Sequence, residues 1–574
     1  MGVPIKARGV QVARTSISTA ASLTSKSGVV VVGGGPAGLA TAMMLAKRGW
    51  KDITVLEKNV TVDYGAQDKS YVYCIDRRGM KLTDLLGISD KLPERGVETN
   101  SIQLAIVNDK GEVKRSALPT KAQFSTYWMP RNRFMQLMAE AIEGNAWARD
   151  NITIVTEARE TQITRQPTPA RELEPAHSGA TATLAAGEAS ESGSSVRAVS
   201  GGGGHGGYQI QSPGPVQVSV RVGDRRELRT WTPTLLVGAD GMDSVVREAL
   251  RGWDEAQSGP AAERFKMVER PSASAGLRYK VLILPPNPEV QRVGAAGGAA
   301  AREVIPNPSF CAIAGSYKGS RAVRMGLLPV KDTTSTRTGN IITNPGHEVW
   351  SVEPTAEAMY QYLEGAFPQL PIRDLIDEAQ ALKFAKSTGG RFPTPQYCPG
   401  LYALLDAGAG GGASTVQGQG QQQAVLLAGD SIHCFPPDLG QGVNSALEDI
   451  FVLDKVLEEC KDDLAAALPR YEAVRKPEIL ALIRLMQIGF PYQYNQDQTA
   501  KFFWSINFTA RLLLNKLLPF LFSPAAFVMV QDPTLSYSQI LQKADATTAR
   551  IFGLCATLAV AVGVIVARGA GGTA

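Results

Sequence analysis

The chain has 574 residues, 44% of them hydrophobic, which is enough for more than one buried core. Its 59 basic and 54 acidic side chains leave a net charge of +5 without any lysine/arginine block, so nucleic acid is excluded as a partner. The six cysteines (Cys74, Cys311, Cys398, Cys434, Cys460, Cys555) form no C-x-x-C pair, which argues for a reducing compartment and against both a zinc site and a disulfide framework.

Residues 1–27 carry Lys6, Arg8, Arg14 and Lys26 with eight Ser/Thr and no acid, the first acid of the chain being Asp52. This composition predicts a transit peptide for a mitochondrion or plastid, since a secretory signal needs an apolar run. VVVV at 29–32 and DITVLE at 52–57 then read as buried parallel strands. Between them Gly33, Gly35 and Gly38, with Ala37 inside the pattern, spell G-x-G-x-x-G directly after a strand and before a helix. Helix amides placed there meet a pyrophosphate, and Glu57, followed by Lys58, ends the next strand where a carboxylate accepts hydrogen bonds from a ribose. The pattern predicts a dinucleotide-binding domain over 28–261, with part of a second sheet supplied from about 70–130.

Further along, 168–207, 294–301 and 406–423 are Gly/Ala/Ser/Gln-rich and read as surface insertions. TLLVGAD (234–240) and AVLLAGD (424–430) are two more buried strands, so the first domain resumes over 396–475. RYKVLILPP and AVRMGLLPV predict a mostly antiparallel sheet over 262–395, followed by a helix at DLIDEAQALKFA. A helical region is expected over 476–545. The uncharged run 551–567, bracketed by Arg550 and Arg568, would span about 25 Å as a helix and is expected to be a membrane anchor. Of the four histidines only His433 lies near a motif, and it reads as a hydrogen-bonded structural residue.

Two further motifs identify the ligand. GADGMDSVVRE places Asp240-Gly241 ahead of Asp243, Ser244 and Arg247, and resembles the D-G-x-x-S-x-x-R fingerprint of class A flavoprotein monooxygenases. GDSIHCFPPDLGQGVNSALED, residues 429–449, resembles that family's G-D-x-x-H-x-x-x-P-x-x-G-Q-G-x-N-x-x-x-E-D pattern. The resemblance implies FAD, with NADPH or NADH as reductant and O2 as co-substrate. It also implies that Asp430, after Gly429, holds the ribityl chain, and that Gly440-Gln441-Gly442, with Val443 and Asn444, brings amides to the isoalloxazine. Pro436 is expected beside the reactive edge, and Pro436 and Gln441 are the residues expected at the chemistry.

Within this family the chain most resembles kynurenine 3-monooxygenases, through LAKRGW, the YWMPRNRF segment where Arg131 matches an FAD-contacting arginine, LILPP, and Arg511, Pro519, Phe522, Pro524 and Tyr537 near the C-terminus. The implied fold is α/β: a Rossmann-like FAD domain, a mostly antiparallel substrate sheet and a C-terminal helical segment. The implied reaction is hydroxylation or epoxidation through a flavin hydroperoxide. The family's carboxylate clamp is missing, however: Ser101–Val107 contains no arginine, Leu118-Pro119 stands where a tyrosine belongs, and Phe527 lacks a hydroxyl. An aromatic or apolar substrate is therefore expected rather than L-kynurenine. A membrane-tethered flavoprotein acting as a scaffold and a flavin oxidase or dehydrogenase are the alternatives.

Overall fold

The computed structural model describes residues 26–63, 72–117, 125–165, 208–212, 214–293, 302–407, 422–494 and 496–570. The leader reading of 1–27 falls largely outside these residues, as do Leu118-Pro119 and nearly all of the three low-complexity segments. Lys26 and Ser27 are described, and they belong to the folded body. Lys26 pairs with Asp462 at 2.6 Å, and Ser27 opens the first strand.

That strand, Ser27–Val32, sits in a seven-stranded sheet ordered 209–212, 402–407, 422–427, 235–238, 27–32, 51–56, 152–155. The five strands from 422–427 to 152–155 run parallel, with Val30 opposite Leu236 on one side and Thr54 on the other. Val29, Val30, Val31 and Val32 are all buried, in one cluster with Leu39 and Met43 of helix Pro36–Lys47 and with Val216, Val218 and Val220 of a three-stranded sheet ordered 227–231, 216–222, 158–165, so the strand keeps no polar side. Pro36–Lys47 packs on the strand it follows and against Gly442–Glu459, which in turn contacts Arg77–Leu86 and Leu464–Ile488. The three motif-bearing segments, which follow strands 27–32, 235–238 and 422–427, thereby converge at one end of the parallel strands, where open α/β sheets bind ligands.

A second seven-stranded sheet is ordered 390–391, 278–284, 337–343, 324–327, 310–314, 103–107, 113–117. Its pairs are antiparallel except 310–314 with 103–107, which is parallel because the last two strands come from the early chain. The early segments 72–75, 127–130 and 97–98 instead form a small sheet of their own. One face of the large sheet buries Leu282, Leu284, Ile313, Met325 and Ile341 under helices Ala356–Ala366 and Glu378–Lys386. Tyr279 and Val281, which alternate with these residues, pack with Phe392 and Tyr494 in a separate cluster.

Helix Leu464–Ile488 runs unbroken past residue 475, so the expected boundary between FAD domain and C-terminal region lies inside one helix. After it come Gln498–Leu517, Ala526–Met529 and Tyr537–Ala570. Val530, Tyr537, Ile540 and Ala544 share a buried cluster with Leu482, Leu485, Met486 and Leu439, each large member worth about 1.5–3 kcal/mol of burial. Through Leu439 this cluster reaches the glycine turn of the third motif.

Candidate functional site

The three motifs touch one another. A methyl group on Gly33 would stand 2.3 Å from Ala239 O and 2.8 Å from Asp240 Cα, so the first glycine turn and the second motif are in backbone contact. A methyl on Gly38 would stand 1.8 Å from Gly33 O, which is why that position, too, carries glycine. Gly429 lies against Ala37, and the Arg247 guanidinium donates to Ser431 O at 3.0 Å and Met242 O at 2.8 Å. Ser244 caps helix Val245–Ser258 by accepting from Arg247 N at 3.1 Å. Both are buried: Ser244 serves within the second motif, and Arg247 ties that motif to the third through Ser431 O.

Glu57 is buried and accepts from Gly34 N at 2.9 Å, Asn59 N at 2.9 Å and Asn59 Nδ2 at 2.6 Å, while Lys58 is exposed. The carboxylate thereby fixes the glycine turn. With three of its roughly four acceptor positions taken, one is left for a ribose hydroxyl.

Three observations fit FAD. The space in front of Gly35 is open, with no atom within 4 Å of where a methyl would sit. Neither helix Pro36–Lys47 nor helix Gly442–Glu459 has a side-chain cap, so first-turn amides are left for an anion or a carbonyl-rich ring. Asp240 accepts from Val245 N through Oδ2 at 2.7 Å, but its Oδ1 is buried with no partner among the described residues. An orphaned acceptor of this kind suits a cofactor hydroxyl. Burial raises the Asp240 carboxyl above its usual range, against the pull of its hydrogen bonds. Gly241, next to it, turns the chain.

Asp430 reaches water, yet dense protein on its remaining sides raises its carboxyl; His433 and Arg131 pull it down and Asp449 pushes it further up. Contact with water in a desolvating setting marks the wall of a recess. Arg131, at the start of helix Arg131–Gly144, also faces Tyr73, whose phenol burial pushes up to about 12. Tyr73, Arg131 and Asp430 therefore share one locale.

Beneath it lies a charged cluster that the sequence reading did not single out. Asp449 accepts from Gly429 N at 3.0 Å, Arg475 Nε at 2.6 Å and His433 Nε2 at 2.8 Å. Arg475 also donates to Glu448 at 2.9 Å and to Ser445 Oγ at 2.8 Å. Burial opposes both charges, but His433 and Arg475 hold Asp449 below its usual range, and Asp449 and Glu448 hold Arg475 well above its own.

Gly440 has φ +63°, a left-handed turn with open space before it, and Gly442 is equally open. The pattern that locates this turn places its proline four residues after the histidine and three before the glycine, which is Pro437 rather than Pro436. Pro436 is buried, whereas Pro437 is exposed like Gly440. Gln441, expected at the chemistry, has its side chain fully engaged elsewhere. Its Nε2 donates to Asp76 Oδ2 at 2.9 Å, and its Oε1 accepts from Tyr537 OH at 2.7 Å. Asn444 accepts from Asp76 N at 3.0 Å and donates to Cys74 O at 2.8 Å and Gly440 O at 3.1 Å. Both amides shape the turn, and Val443 is buried behind it.

Arg78 completes this side: it donates to Val530 O at 2.6 Å, Asp532 O at 2.7 Å and Leu535 O at 2.9 Å, and lies 4.9 Å over the Tyr537 ring. Asp76 and Arg78 were missed, although an aspartate directly before the amphipathic helix Arg77–Leu86 is a capping signal. Asp438, inside the turn, accepts from Ser274 Oγ and from Gln493 Nε2 at 3.3 Å, and burial without a cation raises its carboxyl to about 7. Separately, an open recess of about 610 Å³, lined by Met242, Asp243, Arg247, Arg251, Lys266 and Gln396 among others, borders the second motif and neither of the other two.

A family model described as "FAD binding domain" matches residues 26–392 and 411–485. Kynurenine 3-monooxygenase of Salinispora arenicola is 39% identical over 121 residues, 21% of this chain and 26% of that protein. The kynurenine 3-monooxygenase of Salinispora tropica is 36% identical over 149 residues, 24% and 32% of the two chains. The matched stretches thus span less than a third of these relatives' length. The structure of P. aeruginosa PqsL in complex with 2-aminobenzoylacetate superposes with a TM-score of 0.45 at 17% identity, over 82% of this chain and 97% of that one. With the family model spanning most of the chain and both glycine turns, Asp240 and Asp430 fitting the ligand, this chain belongs to the FAD binding domain family and its cofactor is FAD.

Proposed function

We propose that this chain is an FAD-dependent, NAD(P)H-using monooxygenase that hydroxylates or epoxidises an aromatic or apolar small molecule, with O2 as the oxygen source. The observation that carries this reading is the open, uncapped turn Gly440–Gly442 beside the proline pair. Asp438 of the same turn is tied to Ser274 and to Gln493, whose chain neighbour Tyr494 packs against the cluster of Tyr279 and Phe392. Bound FAD would supply the two-electron chemistry and the activation of oxygen. The chain's residues bind and orient it. The first-turn amides after Gly35 would hold the pyrophosphate, Asp430 the ribityl hydroxyls, and the amides after Gln441 the pyrimidine edge, where donors stabilise negative charge. Pro436, Leu439 and Phe435 keep the surroundings poor in water.

The names of the relatives favour an aromatic substrate, while this chain's own residues favour one without kynurenine's charged end. Strand Gln103–Val107 offers no arginine, and Phe527, its ring tilted against Phe490 at 5.1 Å between centroids, has no hydroxyl to offer. The leader composition supports a mitochondrion or plastid. The stretch Tyr537–Val564, which contains an 18-residue window of mean hydropathy 1.7, supports anchoring in a membrane.

The test is anaerobic flavin reduction of the full chain by NADPH, with and without L-kynurenine, followed by turnover under isotope-labelled dioxygen with candidate aromatics. Reduction that kynurenine does not accelerate, together with label in a product, is expected. Label confined to water or peroxide would mean an oxidase. Asp430→Ala should lose FAD, and tight FAD in that variant would place the cofactor elsewhere.

A further inference from the structure

Helix Gln498–Leu517 buries none of its residues fully. Phe502, Ile506, Leu513 and Leu517 fall within about 60° of one another on its outer face at 3.6 residues per turn. These four, with Phe503 and with Phe520 just beyond the helix, are 51–77% exposed. The inner face is a different surface, with Trp504 5.0 Å from both Phe490 and Phe508. Soluble proteins seldom leave a contiguous apolar stripe of this length in water.

Charge follows the same division. No acidic residue occurs between Asp497 and Asp532, and the charged residues in that interval are Lys501, Arg511 and Lys516. Arg511 points away from the stripe, donating to Thr548 Oγ1 at 2.7 Å and Ala544 O at 3.2 Å on helix Tyr537–Ala570. Further ties run between the same two segments: Ser523 N donates to Thr547 Oγ1 at 2.9 Å, and Arg550 donates to Leu521 O. Beyond Arg550 the long helix exposes Phe552, Leu554, Leu558 and Val560. The tip at Leu517–Leu521 is therefore held level with the point where the apolar helix leaves the body.

We infer that the outer face of Gln498–Leu517, with the Phe520 tip, lies in the surface of a lipid bilayer as a second attachment beside the anchor helix. An amphipathic face that is continuous with a membrane-crossing segment, free of acids and bordered by Lys516 and Arg550, meets the same lipid phase at headgroup depth. The body is then fixed in orientation, because one helix crosses the membrane and another lies along it. This inference rests on the membrane reading proposed above.

The test uses the full chain in vesicles of phosphatidylcholine with a minority of phosphatidylserine. The photocrosslinker p-benzoylphenylalanine replaces Phe503, Leu517 or, as the reference in the anchor, Leu558; bound-FAD absorbance reports that each variant is folded. Lipid adducts at Phe503 and Leu517 comparable in yield to those at Leu558 are expected. Lipid adducts at Leu558 alone would overturn the surface attachment and leave the anchor standing. Adducts between two copies of the chain at Phe503 or Leu517 would make the stripe a dimer contact and also overturn it. Absence of lipid adducts at all three positions would remove both.

Discussion

Under the Gly429–Asp430 turn lie Asp449 and Arg475, buried and paired as charges, with His433 hydrogen-bonded to Asp449, whereas the Gly440–Gly442 turn is flanked by Gln441 and Asn444, whose amides reach Asp76, Tyr537 and main-chain carbonyls. The first support is local, made by one helix and its neighbour. The second draws on chain segments near residues 76 and 537 and so makes the turn depend on the C-terminal helix. On the reading proposed above, in which the first turn would face the ribityl chain of FAD and the second its flavin edge, the difference tracks what each turn would hold. A ribityl chain needs one carboxylate held still, and paired charges hold it. A flavin edge whose electron count changes is better served by neutral amides, which fix the turn without setting a strong field beside it.

The largest way to break this comparison is Arg475→Ala. It leaves Asp449 and Glu448 in place with their cation removed, and Asp449 is wholly buried. Breaking a buried pair from one side costs about 3–5 kcal/mol, so denaturant unfolding should show a loss of that order, or no soluble protein. A loss below about 1 kcal/mol would mean that the charged floor is not what holds Gly429.

Asp438 carries the contrast inside the second turn, as a buried carboxyl with hydroxyl and amide partners and no cation beside it. Its carboxyl is raised to about 7, so its neutral form is the one the fold prefers. Its contribution is complete below the ordinary carboxylate range and is lost as pH rises through about 7, where the unfolded chain is already ionised. Asp438→Asn should remove this dependence. Relative to the parent, the variant should gain stability between about pH 4 and pH 8, by up to about 4 kcal/mol. Unfolding free energies measured in parallel across that range check it, and a constant difference between the two proteins would contradict it.

The first turn was far more legible in the sequence than the second. VVVV, TLLVGAD and AVLLAGD read as parallel strands because both faces of the sheet are covered, and a run without alternation has few other uses. Gly33, Gly35 and Gly38 are legible because a strand precedes them and a helix and Glu57 follow, and Asp430 through the resemblance of 429–449 to the family's pattern. The support of the second turn does not: Asp76 with Gln441, and Gln441 with Tyr537, are contacts between distant segments, and buried polar partners follow no period. Gln441 was therefore assigned to the chemistry when its side chain belongs to the scaffold. The second sheet was legible as strands but not in its pairing, since nothing local announces that 103–107 runs parallel to 310–314.

Tyr537→Phe sharpens the dependence on the C-terminal helix. The ring stays under Arg78, and only the hydroxyl donated to Gln441 Oε1 is lost. Leaving that buried acceptor unpaired should cost about 1–3 kcal/mol, and the slack should weaken FAD retention on dilution. Equal cost without any change in FAD binding would uncouple the helix from the turn.

The smallest effect on the fold is expected from comparing one glycine in each turn. Gly429 has φ +63°, and a methyl there would stand 2.8 Å from Ala37 Cβ, so Gly429→Ala should destabilise the protein even without cofactor, by about 1–2 kcal/mol for the left-handed backbone alone. Gly442 is the first residue of its helix and has open space before it. Alanine there should leave the apoprotein unchanged or more stable by up to about 1 kcal/mol. It should nevertheless bind FAD more weakly, because the methyl fills space in front of the uncapped amides. Melting of apoprotein alongside FAD titration separates the two. If Gly442→Ala binds FAD as the parent does, the open face of the second turn does not belong to the flavin, and the neutral support around it has another purpose.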